Sequence, residues 1–166
     1  TVDFGRTMLV CRVRHTRAHN NVATEWFDRG QTIAMLPLLK GQSSFVLTLD
    51  TLDMAGIKAL SAEAFAREIE RRTQRRWGEI KLTSERFYYP LIAVYADRFV
   101  APRFALLGDA AVGMHPVTAH GFNFGLKGAF ALGREILAAQ REGRDIGASR
   151  GLSHYERDHR RATLPL

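Results

Sequence analysis

The sequence is poor in the features that stabilise secreted or membrane-spanning chains. It holds one cysteine, Cys11, in 166 residues, so no internal disulfide can form and nothing points to an oxidising compartment. No stretch approaches the roughly 20 consecutive apolar residues that a membrane-crossing helix needs. Thr1 leads straight into a charged, alternating segment without the pattern of a secretory leader. Acidic residues are also in deficit, 17 against 24 basic ones, which excludes an acidic disordered tail. Internal repeats and low-complexity tracts are absent. What remains is 46% apolar and 25% charged, an ordinary globular composition long enough to bury one core. The expectation is a soluble, cytoplasmic chain.

The net charge of +7 favours anionic partners such as nucleic acid, lipid headgroups or phosphorylated cofactors. The excess is mostly arginine, clustered around 67–76 and 157–161. Both clusters also fit solvated helix faces.

The first half reads as sheet. Leu9, Cys11 and Val13 alternate with Val10, Arg12 and Arg14, the period of a half-buried strand, which makes Cys11 a core residue rather than a nucleophile. Further strands are predicted over Val22–Phe27, Thr32–Leu38 and Ser43–Leu49, with tight turns at Asp28-Arg29-Gly30 and Lys40-Gly41-Gln42. Their short links suggest an antiparallel meander. Ser61 then caps a predicted helix from Ala62 to about Trp77, with Gly78 as its C-cap and arginines at its negative end. Glu63/Arg67 and Glu68/Arg72 stand at ion-pair spacing. Lys81–Tyr89 alternates until Pro90 breaks it, and short strands follow at 98–100 and 103–107. From Asn123 to Gly143 the pattern is helical, with Phe122, Leu126, Ala129, Phe130, Gly133 and Leu137 on one stripe. Ser153-His154-Tyr155-Glu156 fits a capping box opening a last helix.

The stretch from Ala105 to Leu126 carries the chemistry. It reads as strand, acidic loop, Gly/Pro-bearing loop and helix. An aspartate at a strand's C-terminal end, Asp109, can accept hydrogen bonds from ligand hydroxyls, and its small neighbours Gly108, Ala110 and Ala111 let a ligand reach the backbone. Gly121 ahead of a helix leaves N–H groups and a positive dipole end facing a ligand. The two histidine pairs, His115/His120 and His154/His159, are five residues apart rather than four, so no metal site is expected.

The run Gly108-Asp109-Ala110-Ala111, His115-Pro116 and Gly121-Phe122-Asn123-Phe124-Gly125-Leu126 resembles the second FAD motif of flavin-dependent aromatic hydroxylases. More narrowly it resembles that of the ubiquinone-biosynthesis hydroxylases, which share the para-hydroxybenzoate hydroxylase-like fold. Glu25-Trp26-Phe27, Ile33-Ala34-Met35-Leu36-Pro37-Leu38 and Tyr155-Glu156-Arg157 are similar to other segments of the same group. Val112 and Ala119 depart from its usual histidine and glycine.

The resemblance implies an α+β fold with a mixed, mainly antiparallel sheet and a covering helix. Residues 1–100 would form the substrate domain and 101–166 the C-terminal part of the FAD-binding domain. It implies that Asp109 holds the ribityl hydroxyls of FAD and that Pro116 lies beside the isoalloxazine and the substrate. Gly121, Phe122 and Asn123 would place N–H groups near the flavin's N1/C2 carbonyl edge. NAD(P)H would reduce the flavin, and oxygen would hydroxylate a polyprenylated phenol or benzoquinol. No acid or base residue is assigned. The sequence has no Gly-x-Gly-x-x-Gly, since Gly121, Gly125 and Gly128 are wrongly spaced. The expectation is therefore a C-terminal fragment, inactive alone, with an incomplete FAD site.

Two other readings stay open: a flavoprotein hydroxylase of a soluble aromatic, and a basic, non-enzymatic nucleic-acid-binding module. Met35-Leu36-Pro37 fits either a quinone pocket or a buried strand. Arg157, Arg160 and Arg161 fit either a peripheral contact with the inner membrane or a solvated helix end. Self-association is also open.

Overall fold

A computed structural model describes residues 1–114 and 120–164. The chain divides into two compact units, one of Gly5–Leu91 and one of Thr1–Phe4 with the residues from Ile92 onward. The fold is α+β with antiparallel strand pairing, as expected.

In the first unit, β1 (Val2–His15), β2 (Thr24–Asp28), β3 (Gln31–Pro37) and β4 (Gln42–Asp50) lie in the order β2-β3-β4-β1. β2, β3 and β4 form the expected meander, but β1 flanks β4 instead of β2, an arrangement of the Greek-key type. The reason lies in the faces. Leu9, Cys11 and Val13 stand opposite Leu47, Phe45 and Ser43, all at most 2% exposed, whereas β2 offers that face little beyond Trp26. Burial pushes the Cys11 thiol up to about 12, which fits a packing role.

Two helices cover this face, α1 (Thr51–Lys58) through Met54 and Ile57, and α2 (Ala62–Arg72) through Phe65, Ala66 and Ile69. The Ser61 hydroxyl accepts from Ala64 N at 3.2 Å, the predicted cap. Glu68 pairs with Arg72 at 2.7 Å, and also with Arg71, whereas Glu63 takes the Ser61 hydroxyl. The helix stops five residues before the predicted Trp77. Thr73 Oγ1 donates to Ile69 O at 2.8 Å, and Gln74 and Arg75 turn left-handed. Gly78 instead opens the approach to β5 (Ile80–Leu82), which pairs with β1. Its φ is +73°, and a Cβ there would stand 2.2 Å from Thr16 Oγ1, the acceptor of Glu79 N.

The second unit contains the end of β6 (Phe87–Tyr95), the hairpin β7 (Val100–Ala101) and β8 (Phe104–Ala105), a 3-10 turn at Gly108–Ala110, and β9 (Val112–Gly113). Two helices complete it, α3 (His120–Arg141) and α4 (Ser149–Thr163). β6 carries through Pro90, whose fixed φ suits extended chain, rather than breaking there. α4 begins a turn before the expected capping box, with Ala148 at its N-cap and Ser153 inside the helix. The predicted apolar stripe of α3 lies largely in solvent: Phe122 is 80% exposed and Phe130 72%, with Leu126 and Leu137 also exposed. The buried positions of α3 are Phe124, Gly128 and Ala139.

Where α3 and α4 meet, His159 is 2% exposed, stacked on Tyr155 and beside Phe99, and neither ring nitrogen has a hydrogen-bond partner among the described residues. A Cβ on Gly128 would lie 3.0 Å from that ring. Burial holds the imidazole below its ordinary pKa, so the unfolded chain binds the proton first. Stability is thus intact above about pH 6.5 and falls as the pH drops below it. In thermal melts between about pH 7.5 and about pH 5.5, His159→Leu should lose less stability than the parent. Gly78→Ala should cost about 1–3 kcal/mol in urea unfolding, and an unchanged midpoint would refute the strained turn.

Candidate functional site

Three side chains of α4 fix the segment that leads into the site. Tyr155 Oη donates to Leu106 O at 2.6 Å, and Glu156 Oε1 accepts from Phe99 N at 2.6 Å. Arg160 Nη2 donates to Ala96 O at 3.0 Å and to Asp97 O, its guanidinium lying 4.4 Å from the centre of the Phe99 ring. Beneath these contacts Phe99, Ala111, Val112 and Tyr155 form a small core. Burial raises the Tyr155 phenol to about 12, so it stays a donor across the physiological range.

Beyond Leu107 the chain turns at Gly108, whose φ of +57° is left-handed, and Ala111 N closes the 3-10 turn on Gly108 O at 3.0 Å. Asp109 is exposed at this turn. The first turns of α3 run beside it. A Cβ on Gly121 would lie 3.8 Å from Asp109 Oδ1, and one on Gly125 3.5 Å from Gly108 Cα. Between them lies a cleft of about 560 Å³ lined by Gly108, Asp109, Gly121, Phe122, Gly125, Leu126 and Ala129. That size falls within the range of small-molecule sites.

Four residues expected from the sequence therefore meet at one cleft: Gly108, Asp109, Gly121 and Phe122. Asn123 is in the first turn of α3 beside it and does not line it. Pro116 lies outside the described residues. The N–H groups that open a helix have no intrahelical partner, so residues 120–123 bring donors and a positive dipole end to the carboxylate side of the cleft. Phe122, Leu126 and Ala129 add apolar wall. The arrangement suits a ligand with hydroxyl donors, a flat apolar part and an edge able to carry negative charge.

Sequence reasoning missed the supporting residues. Glu156 is read as a capping-box residue and Arg160 as a lipid contact or a solvated helix end, yet both bond to the backbone of 96–99. Their i,i+4 spacing, with a 3.4 Å contact between them, was the available signal. Met35 is 1% exposed in the helix-covered core, while Leu36, at 42%, lies on the opposite sheet face.

Residues 3–163 match the family described as FAD binding domain. The chain is 45% identical over 164 residues to the ubiquinone hydroxylase UbiM of Neisseria meningitidis serogroup C, covering 99% of this chain and 36% of that protein. It is 41% identical over 156 residues to the ubiquinone hydroxylase UbiL of Rhodospirillum rubrum, covering 94% and 36%. The chain thus spans about a third of the length of these relatives. Among solved structures it is similar to PqsL of Pseudomonas aeruginosa in complex with 2-aminobenzoylacetate, with a TM-score of 0.80 at 20% identity, over 99% of this chain and 46% of that one. The flavin-dependent halogenase CmlS gives a TM-score of 0.71 at 19% identity, over 98% and 31%. At such identities the likeness is one of fold.

Tyr155→Phe should lower stability by about 1 kcal/mol, because the Leu106 carbonyl loses its donor. Urea unfolding followed by far-UV circular dichroism measures this, and an unshifted midpoint would mean the bond does not hold the loop.

Proposed function

Because this chain belongs to the FAD binding domain family, we propose that it supplies the substrate domain and one wall of the flavin site of a monooxygenase acting on a polyprenylated phenol or benzoquinol in ubiquinone biosynthesis. The observation that carries the reading is the meeting of Asp109 with the N-terminus of α3 at one cleft, in a chain 45% identical to a ubiquinone hydroxylase.

Each residue has a role set by its chemistry. The Asp109 carboxylate is an acceptor for the ribityl hydroxyls of FAD, and charge-assisted bonds of this kind are the strong ones. The N–H groups of Gly121, Phe122 and Asn123 would hold the N1/C2 carbonyl side of the flavin, where a helix dipole would stabilise negative charge. Gly108 lets the chain turn so that Asp109 stands at the cleft. When bound, FAD reduced by NAD(P)H supplies the oxygen chemistry, and the protein orients the cofactor and excludes water.

The sheet face opposite the helices suits an apolar substrate. Val10 and Ala34 both stand opposite Val46 in register, and Leu36 is opposite Ser44. Apolar residues on this face, with Ser44 and Arg12 beside them, support a substrate that has both an apolar tail and a polar ring, as a polyprenylated phenol has. Such a substrate also calls for peripheral contact with a membrane.

In the complete enzyme, Asp109→Ala should weaken FAD retention about ten- to a hundredfold, the loss expected for hydrogen bonds to a charged acceptor. Flavin absorbance after gel filtration reads this directly, and unchanged flavin content would remove Asp109 from the site. NAD(P)H oxidation should respond to a polyprenylated phenol in detergent, and a response only to soluble hydroxybenzoates would favour the soluble-aromatic hydroxylase.

A further inference from the structure

Among the described residues no helix is long and apolar enough to cross a membrane. One end of the first unit's sheet has the chemistry for a lipid surface. β1 ends there, β2 begins, and β3 turns into β4, so loops 16–23 and 38–41 lie together with the 73–79 turn before β5. They are tied to one another: Arg17 N donates to Trp77 O at 3.0 Å, Thr16 N to Glu79 O at 3.2 Å, and His19 Nε2 bonds to Leu38 O at 3.1 Å.

These loops expose Arg17, Lys40, Arg75 and Arg76 against a single acidic residue, Glu79. None of the four cations is in an ion pair among the described residues. The same loops carry Leu39, 86% exposed, and Val22, 54% exposed. Among the described residues, five of the six non-glycine residues with positive φ lie in the same loops: Asn20, Asn21, Lys40, Gln74 and Arg75. Lysine and arginine are costly in that conformation, where glycine or asparagine would be cheaper, so basic side chains are held at the tip against local preference.

We propose that this tip docks on an anionic lipid bilayer, with Leu39 and Val22 entering the headgroup boundary and the four cations meeting lipid phosphates. Exposed aliphatic side chains on loops that also carry cations match a bilayer surface. A nucleic acid would use the cations and leave Leu39 without a role. The proposal deepens the lipid-substrate reading above, and a binding assay without turnover lets the two fail separately.

The test is flotation of the full chain with vesicles of equimolar phosphatidylglycerol and phosphatidylcholine, against pure phosphatidylcholine, with circular dichroism to confirm folding. The parent should bind the anionic vesicles and not the neutral ones. Lys40→Glu with Arg75→Glu should weaken binding at least about 25-fold, from about fivefold per cation near the surface. Leu39→Asp should weaken it about tenfold or more, the loss expected for a buried leucine. Equal binding to both vesicles, or no effect of either variant, overturns the proposal. So does binding of single-stranded RNA that displaces the vesicles while Leu39→Asp still binds them like the parent, since the tip would then be a general polyanion surface.

Discussion

The cleft depends on the way α4 satisfies the backbone of residues 96–106. That stretch has two strands of two residues each, too little sheet to pair its own polar groups. Tyr155, Glu156 and Arg160 bond four of them, at Leu106, Phe99, Ala96 and Asp97. An irregular segment held from one side by a helix is as well placed as a strand. It delivers Gly108 and Asp109 to the start of α3, with a packed core beneath and an open cleft beside them. Precision at a loop-borne carboxylate thus comes from a helix that contributes nothing to the cleft lining.

α3 separates its two tasks by face. Phe124, Gly128 and Ala139 are buried, while Phe122, Leu126, Phe130 and Leu137 are exposed and give the helix an apolar outer stripe. Phe122 and Leu126 belong both to that stripe and to the cleft, so the apolar wall continues along the helix. A stripe of this kind marks an interaction surface more often than an ordinary exterior.

How much could be read from the sequence depended on whether the signal was local. The alternation of Leu9, Cys11 and Val13, the Ser61 cap and the turn at Asp28-Arg29-Gly30 are local patterns, and the structure contains all of them. Asp109 and Gly121 stand only twelve residues apart in the chain, so their meeting is again a near-local relation. The placement of β1 beside β4 was not legible, because it rests on matching two distant faces. Ser153-His154-Tyr155-Glu156 had the letters of a capping box, but Glu156 is engaged by Phe99 N, 57 residues away, and the helix starts earlier. The stripe of α3 had the right period, yet period alone does not say which face is covered.

Gly128 and His159 illustrate a constraint that spans two helices. The imidazole fills the space that a side chain at 128 would need, with a Cβ only 3.0 Å from two of its ring atoms. A residue larger than glycine at 128 requires the imidazole to give way by a few tenths of an ångström, or a smaller residue at 159. The constraint runs one way: position 159 can shrink by itself, whereas position 128 can grow only as far as its neighbour across the helix pair gives way.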